Sequence, residues 1–167
     1  MNATRHFDAP WGMPLKLITA CTTAFLFAFV IVALANAKIP MVARIFMVAL
    51  PPLGVAAGAC FVVRGYELDE GALFVERLGW RTRINLSGLK SVSTDPQATR
   101  RSLRSCGNGG FFSFTGWYWN KALHSYRLFG TDLTKTVVLD LGTRRVVITP
   151  DEPEVFARKV REVAGLS

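Results

Sequence analysis

The side chains able to do covalent or metal chemistry are few and scattered. His6 and His124 are the only histidines, and they lie far apart in the chain. Cys21, Cys60 and Cys106 lack the paired spacing of a zinc site and are too few for a disulfide framework. Ser113 lacks the G-x-S-x-G setting of a nucleophile elbow. Asp69-Glu70 and Asp151-Glu152 read as a turn and a helix start, not as a general acid and base. Nothing in the sequence supports a Cys106–His124 nucleophile pair, which would need a third group to orient it. The expectation is a protein that is not an enzyme and holds no metal or cofactor.

Binding chemistry is concentrated between Cys106 and Arg127, CGNGGFFSFTGWYWNKALHSYR. Phe111, Phe112, Phe114, Trp117, Tyr118 and Trp119 crowd into nine residues. Arg100, Arg101 and Arg104 precede them, and Lys121 and Arg127 follow. These five cations form a candidate face for anionic lipid head groups or for a protein partner. They read equally as a solvated face. The aromatic run reads as domain core, as an interfacial belt, or as a stacking platform for single-stranded nucleic acid. Gly107, Gly109 and Gly110 permit positive φ or close backbone approach. The motif G-x-x-x-x-G-K-[ST] is missing, so the glycines read as a turn and not as a phosphate cradle.

Two apolar segments must position this stretch. Half of the 167 residues are hydrophobic and only 19% are charged, which excludes a disordered chain. Leu17–Ala35 and Ile45–Val63, 19 residues each, carry no charge. Each would make a helix of roughly 28 Å, matching a hydrocarbon core of roughly 30 Å. A signal peptide ending at Ala35-Asn36-Ala37 is the rival reading of the first run, which is longer than an ordinary signal core. Residues 36–44 then form a short external loop. Arg5, Lys16, Arg64, Arg77, Arg81 and Arg83 lie on one side, against Lys38 and Arg44 in the loop. That asymmetry places residues 1–16 and 64–167 in the cytoplasm, and the chain in the inner membrane with both termini inside. Tethering beside a membrane argues against nucleic acid as a partner. Trp11 stands where an interfacial anchor belongs. Pro51-Pro52 interrupts the second run. Ala20, Ala24 and Ala28 on the first helix, and Gly54 and Gly58 on the second, are small-residue faces that either close the hairpin or make a homo-oligomer.

Residues 64–167 hold 16 Lys+Arg and 11 Asp+Glu, and their pattern is mostly strand. Tyr66–Leu68, Leu73–Leu78, Arg81–Leu86, Leu89–Ser93, Ser125–Phe129, Thr136–Leu141 and Arg144–Thr149 are separated by turn-like residues, and Gly142-Thr143 joins the last two as a hairpin. A helix follows. Asp151 is its expected cap, Pro153 suits its first turn, and Glu154 completes a capping box. Phe156, Val160 and Val163 share one face. The class is α+β: a two-helix hairpin, then an antiparallel sandwich or barrel closed by a C-terminal helix.

The motifs Gly107-Asn108-Gly109-Gly110-Phe111, Gly116-x-x-x-Asn120-Lys121, Tyr126-Arg127 and Val146-x-Ile148-Thr149-Pro150-Asp151-x-Pro153-x-x-Phe156 together resemble the bacterial pleckstrin-homology-like (PH-like) domains of small membrane proteins. The resemblance covers about residues 64–165. It departs from the pattern at His124-Ser125, where a glycine precedes the Tyr-Arg pair. It implies two packed antiparallel sheets capped by a C-terminal helix, and it brings no catalytic residues. Eukaryotic relatives often bind phosphoinositides through basic loops, which Arg77, Arg81 and Arg83 match only loosely. The expected function is a membrane-anchored binding or scaffolding module that engages membrane lipids. The alternative is a protein–protein interaction or self-assembling subunit.

Overall fold

The computed structural model describes residues 5–69 and 71–166; Glu70 of the expected Asp69-Glu70 turn lies outside them. In chain order the elements are β1 (Arg5–Asp8), α1 (Met13–Ala35), α2 (Met41–Cys60), β2 (Val63–Asp69), β3 (Ala72–Arg77), β4 (Arg81–Asn85), β5 (Ser91–Thr94), β6 (Leu103–Gly109), β7 (Phe114–Asn120), β8 (His124–Gly130), β9 (Val137–Asp140), β10 (Arg145–Ile148) and α3 (Pro153–Ala164). One sheet has the order β1-β2-β3-β4 and a second the order β5-β9-β10-β8-β7-β6. Strands β8 and β10 run parallel, with β9 filling the antiparallel place on the other side of β10.

Alternation builds the layer between the sheets. Leu73 and Val75 of β3 point inward with Tyr66 and Leu68 of β2, and meet Phe129, Leu139, Val146 and Ile148 of the larger sheet. Phe156, Ala157 and Val160 of α3 close this core. Gly71 (φ +71°) takes the left-handed backbone of the β2–β3 turn, and the Asp140 carboxylate accepts the Gly142 N–H (2.8 Å) to shape the β9–β10 turn. The far face of the larger sheet carries a second cluster of Leu15, Ala98, Phe114, Tyr118, Tyr126, Leu128, Val138 and Val147.

Two sequence expectations fail at the last helix. Glu152, not Asp151, is the N-cap, and no side chain caps the helix. The Asp151 N–H instead donates to the Asp8 carbonyl (2.9 Å), and Glu154 accepts from Thr94 Oγ1 (2.6 Å). Strand β1 and β5 thus claim the two groups that a capping box would use. Val163 is also 40% exposed, and Ala157 takes its expected place in the core.

Strands β1, β6 and β7 are the elements that the sequence reading lacks, and β1 lies on the far side of the hairpin from its partner. Residues 5–8 pair antiparallel with β2, Phe7 opposite Tyr66 and Asp8 opposite Gly65. Phe7 packs edge-on against Phe156, with ring centroids 4.9 Å apart. The sheet therefore begins before the apolar hairpin and resumes after it. Both helices are long and apolar enough to cross a membrane. Most of their large side chains are uncovered, among them Phe25, Ile31, Leu34, Phe46, Leu50 and Leu53. Helix α2 runs through Pro51 and Pro52 and stops at Cys60, so the second apolar run ends inside β2.

Candidate functional site

The Gly107–Ser113 motif joins the hairpin to the sheets. Asn108 Oδ1 accepts the N–H groups of Gly110 (3.2 Å) and Phe111 (2.9 Å), and its Nδ2 donates to the Phe111 carbonyl. That holds a tight turn between β6 and β7. The turn then grips α1: Thr19 Oγ1 donates to the Gly110 carbonyl (3.2 Å) and accepts the Phe112 N–H (3.0 Å). Phe111 lies so close to Gly58 of α2 that a Cβ there would fall 2.6 Å from its ring. Gly58 thus makes room for the domain, while a Cβ on Gly54 would meet nothing within 4 Å. Trp11 meets Phe112 edge-on, with centroids 6.0 Å apart.

The last carbonyls of α2, orphaned at any helix end, are taken by three side chains. Trp80 Nε1–H donates to Cys60 (3.2 Å), while Arg77 Nη1 (3.1 Å) and the Ser113 hydroxyl (3.0 Å) donate to Phe61. Arg77 is 7% exposed, and its guanidinium meets rings instead of a carboxylate: Trp80 at 4.6 Å and Phe129 at 5.4 Å. Cation–π contact and a helix C-terminal carbonyl are both favourable partners for a buried guanidinium. Burial, and then the like charge of Arg127, lower its pKa. Sequence reading placed Arg77 among the basic loop residues and did not single out Trp80. Their joint role follows only from the β3–β4 turn that brings both under α2.

A second polar knot lies at the same end. Tyr66 is fully buried, donates to the Phe129 carbonyl (2.7 Å) and accepts the Thr149 N–H (3.1 Å). Thr149 Oγ1 accepts the Thr131 N–H (2.8 Å), and the Thr131 carbonyl accepts the N–H of Gly12, the residue that caps α1. Burial pushes the Tyr66 phenol up to about 12. Below about pH 10 the phenol is protonated in both folded and unfolded chains, and its stabilisation is complete. Between about 10 and 12 only the folded chain keeps the proton, so stability falls by roughly 1.4 kcal/mol per pH unit. Tyr118, also buried and also raised to about 12, adds to the slope. Tyr66→Phe is expected to cost about 1–3 kcal/mol at pH 8 by orphaning a carbonyl and an N–H, and to leave the share of the alkaline loss that comes from Tyr118 and Tyr126, whose phenols burial also raises. Denaturant unfolding in detergent, followed by tryptophan fluorescence at pH 8 and pH 11, checks both effects.

The structure divides the aromatic run among three places. Phe114 and Tyr118 lie in the outer cluster, and Phe111 and Phe112 lie against the hairpin. Trp117 (43% exposed) and Trp119 (42%) point from the opposite face of β7 to the outside. The five expected cations are also divided. Arg100, Arg101 and Lys121 gather with Trp119 and Asn120 around a cavity of about 430 Å³. Asn120 Nδ2 ties that corner together through the Ala98 carbonyl (2.7 Å) and Ser102 Oγ (2.9 Å). Arg104 turns instead to a cavity of about 340 Å³ lined by Tyr118 and Tyr126. Arg127 stacks on Phe129 at 4.7 Å, where burial lowers its pKa. His124, in the His124-Ser125 pair where the resemblance leads one to expect a glycine, adopts the left-handed backbone (φ +53°) that glycine takes without strain.

The Arg100–Lys121 corner sits at the end of β7 away from the hairpin. Leu15 of α1 joins the cluster at Phe114 and Leu128, and Thr19, one turn further on, meets Gly110 and Phe112. The seven residues of β7 put Asn120 roughly 20 Å from that junction.

Two sheets packed face to face, with a C-terminal helix closing the core, are the architecture of a PH-like domain. The sequence model of the bacterial PH domain family matches residues 64–164, more than half of the chain, and the protein belongs to that family. The match starts after β1, so the first strand and the hairpin lie outside the family's domain. No curated protein and no solved structure matches the chain.

Proposed function

We propose that the protein is a membrane-anchored, cytoplasm-facing PH-like binding module, held against the bilayer by its hairpin. The observation that carries the reading is the union of hairpin and domain at Thr19–Gly110, Gly58–Phe111 and β1–β2. Two helices with uncovered apolar surface leave the PH-like unit, and lipid is the solvent that suits such surface. Trp80, bonded to the Cys60 carbonyl, and Arg64 border the hairpin end, and on this reading they would meet head groups. The exposed Trp117 and Trp119, at the other end, favour a protein partner as the module's ligand.

Cysteine labelling tests the topology. With Cys21 and Cys60 changed to Ser, an impermeant maleimide is expected to reach Cys106 only after spheroplasts are lysed. A cysteine introduced by Lys38→Cys, with Cys106→Ser added, is expected to react in intact spheroplasts. The opposite pattern overturns the orientation, and release of the chain by alkaline carbonate overturns the anchoring.

A further inference from the structure

Strand β6 is the free edge of the six-stranded sheet, and its residues from Leu103 to Gly107 are exposed. Register places Leu103 opposite Trp119 and Cys106 opposite Trp117, so all four side chains share one face. Trp117 is in turn opposite Arg127 on β8. The four-stranded sheet covers the β9–β10 side of this face with core residues but leaves the β6–β7 side open. Leu103 is 69% exposed there, beside the two tryptophans. Isolated apolar side chains on a surface need no explanation, but two tryptophans and a leucine in one patch mark an interaction site.

The rim of the patch carries the sign of its partner. Arg100, Arg101 and Lys121 surround the cavity under Trp119. Asp95 also lines it, but its carboxylate already accepts the Gln97 N–H (2.8 Å). Arg101 is held in a left-handed backbone (φ +55°), a strained state for a side chain of this size. Cations at this rim repel a partner patch of the same sign and favour an acidic one. The corner also lies roughly 20 Å along β7 from the hairpin junction.

We infer that this surface binds an extended, acidic segment of another protein, laid along β6. Its large apolar side chains cover Leu103, Trp117 and Trp119, and its carboxylates meet Arg100, Arg101 and Lys121. The free edge supplies main-chain donors and acceptors to an extended partner, and pockets beside it read alternate side chains. The inference rests on the proposed reading of the chain as a membrane-held binding module and names the chemistry of what it binds.

The test pans a random dodecapeptide phage library on the full chain in nanodiscs of neutral lipid. The expected result is enrichment of peptides rich in Asp and Glu with alternating large apolar residues. A synthetic peptide from that pool is expected to shift tryptophan emission to the blue. Its affinity should fall by at least about tenfold in Arg100→Glu/Lys121→Glu and in Trp119→Ala, and more steeply with salt for the wild type than for the charge-reversed chain. These positions are exposed, so both variants keep the fold, which near-ultraviolet circular dichroism verifies. Failure to enrich any peptide overturns the inference. So do enrichment without acidic residues, affinity unchanged by both variants, and equal displacement of the peptide by a single-stranded oligonucleotide. Flotation of the same chain with liposomes reports anchoring separately, so loss of peptide binding in a chain that floats counts against the surface alone.

Discussion

A fragment beginning at Arg64 is expected not to fold as a stable unit, although it holds the whole segment that the family model matches. Three losses combine. Removing β1 uncovers the outer edge of β2 and takes Phe7 off Phe156. Removing α1 takes Leu15, fully buried, out of the cluster on the outer face of the larger sheet. Removing α2 exposes Phe111 and leaves the Arg77 guanidinium without the Phe61 carbonyl. Burial of one Phe or Leu side chain contributes about 1.5–3 kcal/mol, and domains of this size have only about 5–15 kcal/mol in total. Losing two such side chains and a buried polar contact removes most of that margin. The fragment should keep far-ultraviolet ellipticity and lose near-ultraviolet bands and a cooperative melt. A chain in which a glycine-rich linker replaces residues 13–60 keeps β1 and should recover part of the transition. A cooperative melt of the bare fragment, equal to that of the full chain, would show β1 and the hairpin to be dispensable.

Gly116→Ala is the point substitution with the largest expected cost. Gly107 and Gly116 sit opposite each other on β6 and β7, both with positive φ (+120° and +141°). A Cβ on Gly116 would lie 2.1 Å from the Cys106 carbonyl oxygen, and one on Gly107 would lie 2.3 Å from that of Thr115. The obstacle on either side is backbone and has no rotamer to escape into. The strands must separate, breaking the ladder that presents Trp117 on one face and Tyr118 on the other. Strain at a glycine-only conformation adds to the steric term, for a total of at least about 4 kcal/mol. Gly54→Ala, where a Cβ would meet nothing within 4 Å, is the control and should fall within about 0.5 kcal/mol of the parent. Denaturant midpoints in detergent compare the two.

Much of the fold was legible because it obeys simple periodicity. Strand β3 alternates, β9 and β10 flank a glycine turn, and α3 shows an apolar face with Pro at its first turn. Strand β1 was not legible. Four residues with a single inward side chain, Phe7, carry no pattern, and the partner strand lies on the other side of the hairpin. Strand β7, FTGWYWN, has aromatics on both faces, so alternation is masked even though its two faces differ in burial. Its partner β6, LRSCGNG, is exposed and glycine-rich, which reads as loop. The site was legible as a composition and not as a geometry. The sequence grouped Arg100, Arg101, Arg104, Lys121 and Arg127 as one face. The sheet sends Arg104 to its other side and stacks Arg127 on Phe129. The glycine motif reads as a turn, but Gly107 and Gly109 end strand β6, where Gly107 faces Gly116, and only Asn108 and Gly110 shape the turn that meets the helices.

The pairing of β1 with β2 has a consequence for how the protein is made. The two strands are separated by the entire hairpin, so β1 leaves the ribosome long before its partner exists. On the membrane-anchored reading, the strands can meet only when both helices have crossed and the chain has returned to its starting side. A nascent chain with one helix inserted would strand β1 on the opposite side from β2, with Phe156 uncovered and the sheet short of an edge. On that reading, completion of the domain would act as a proofreading step on insertion, and a chain with the wrong number of crossings would present itself to proteases as an unfinished sheet.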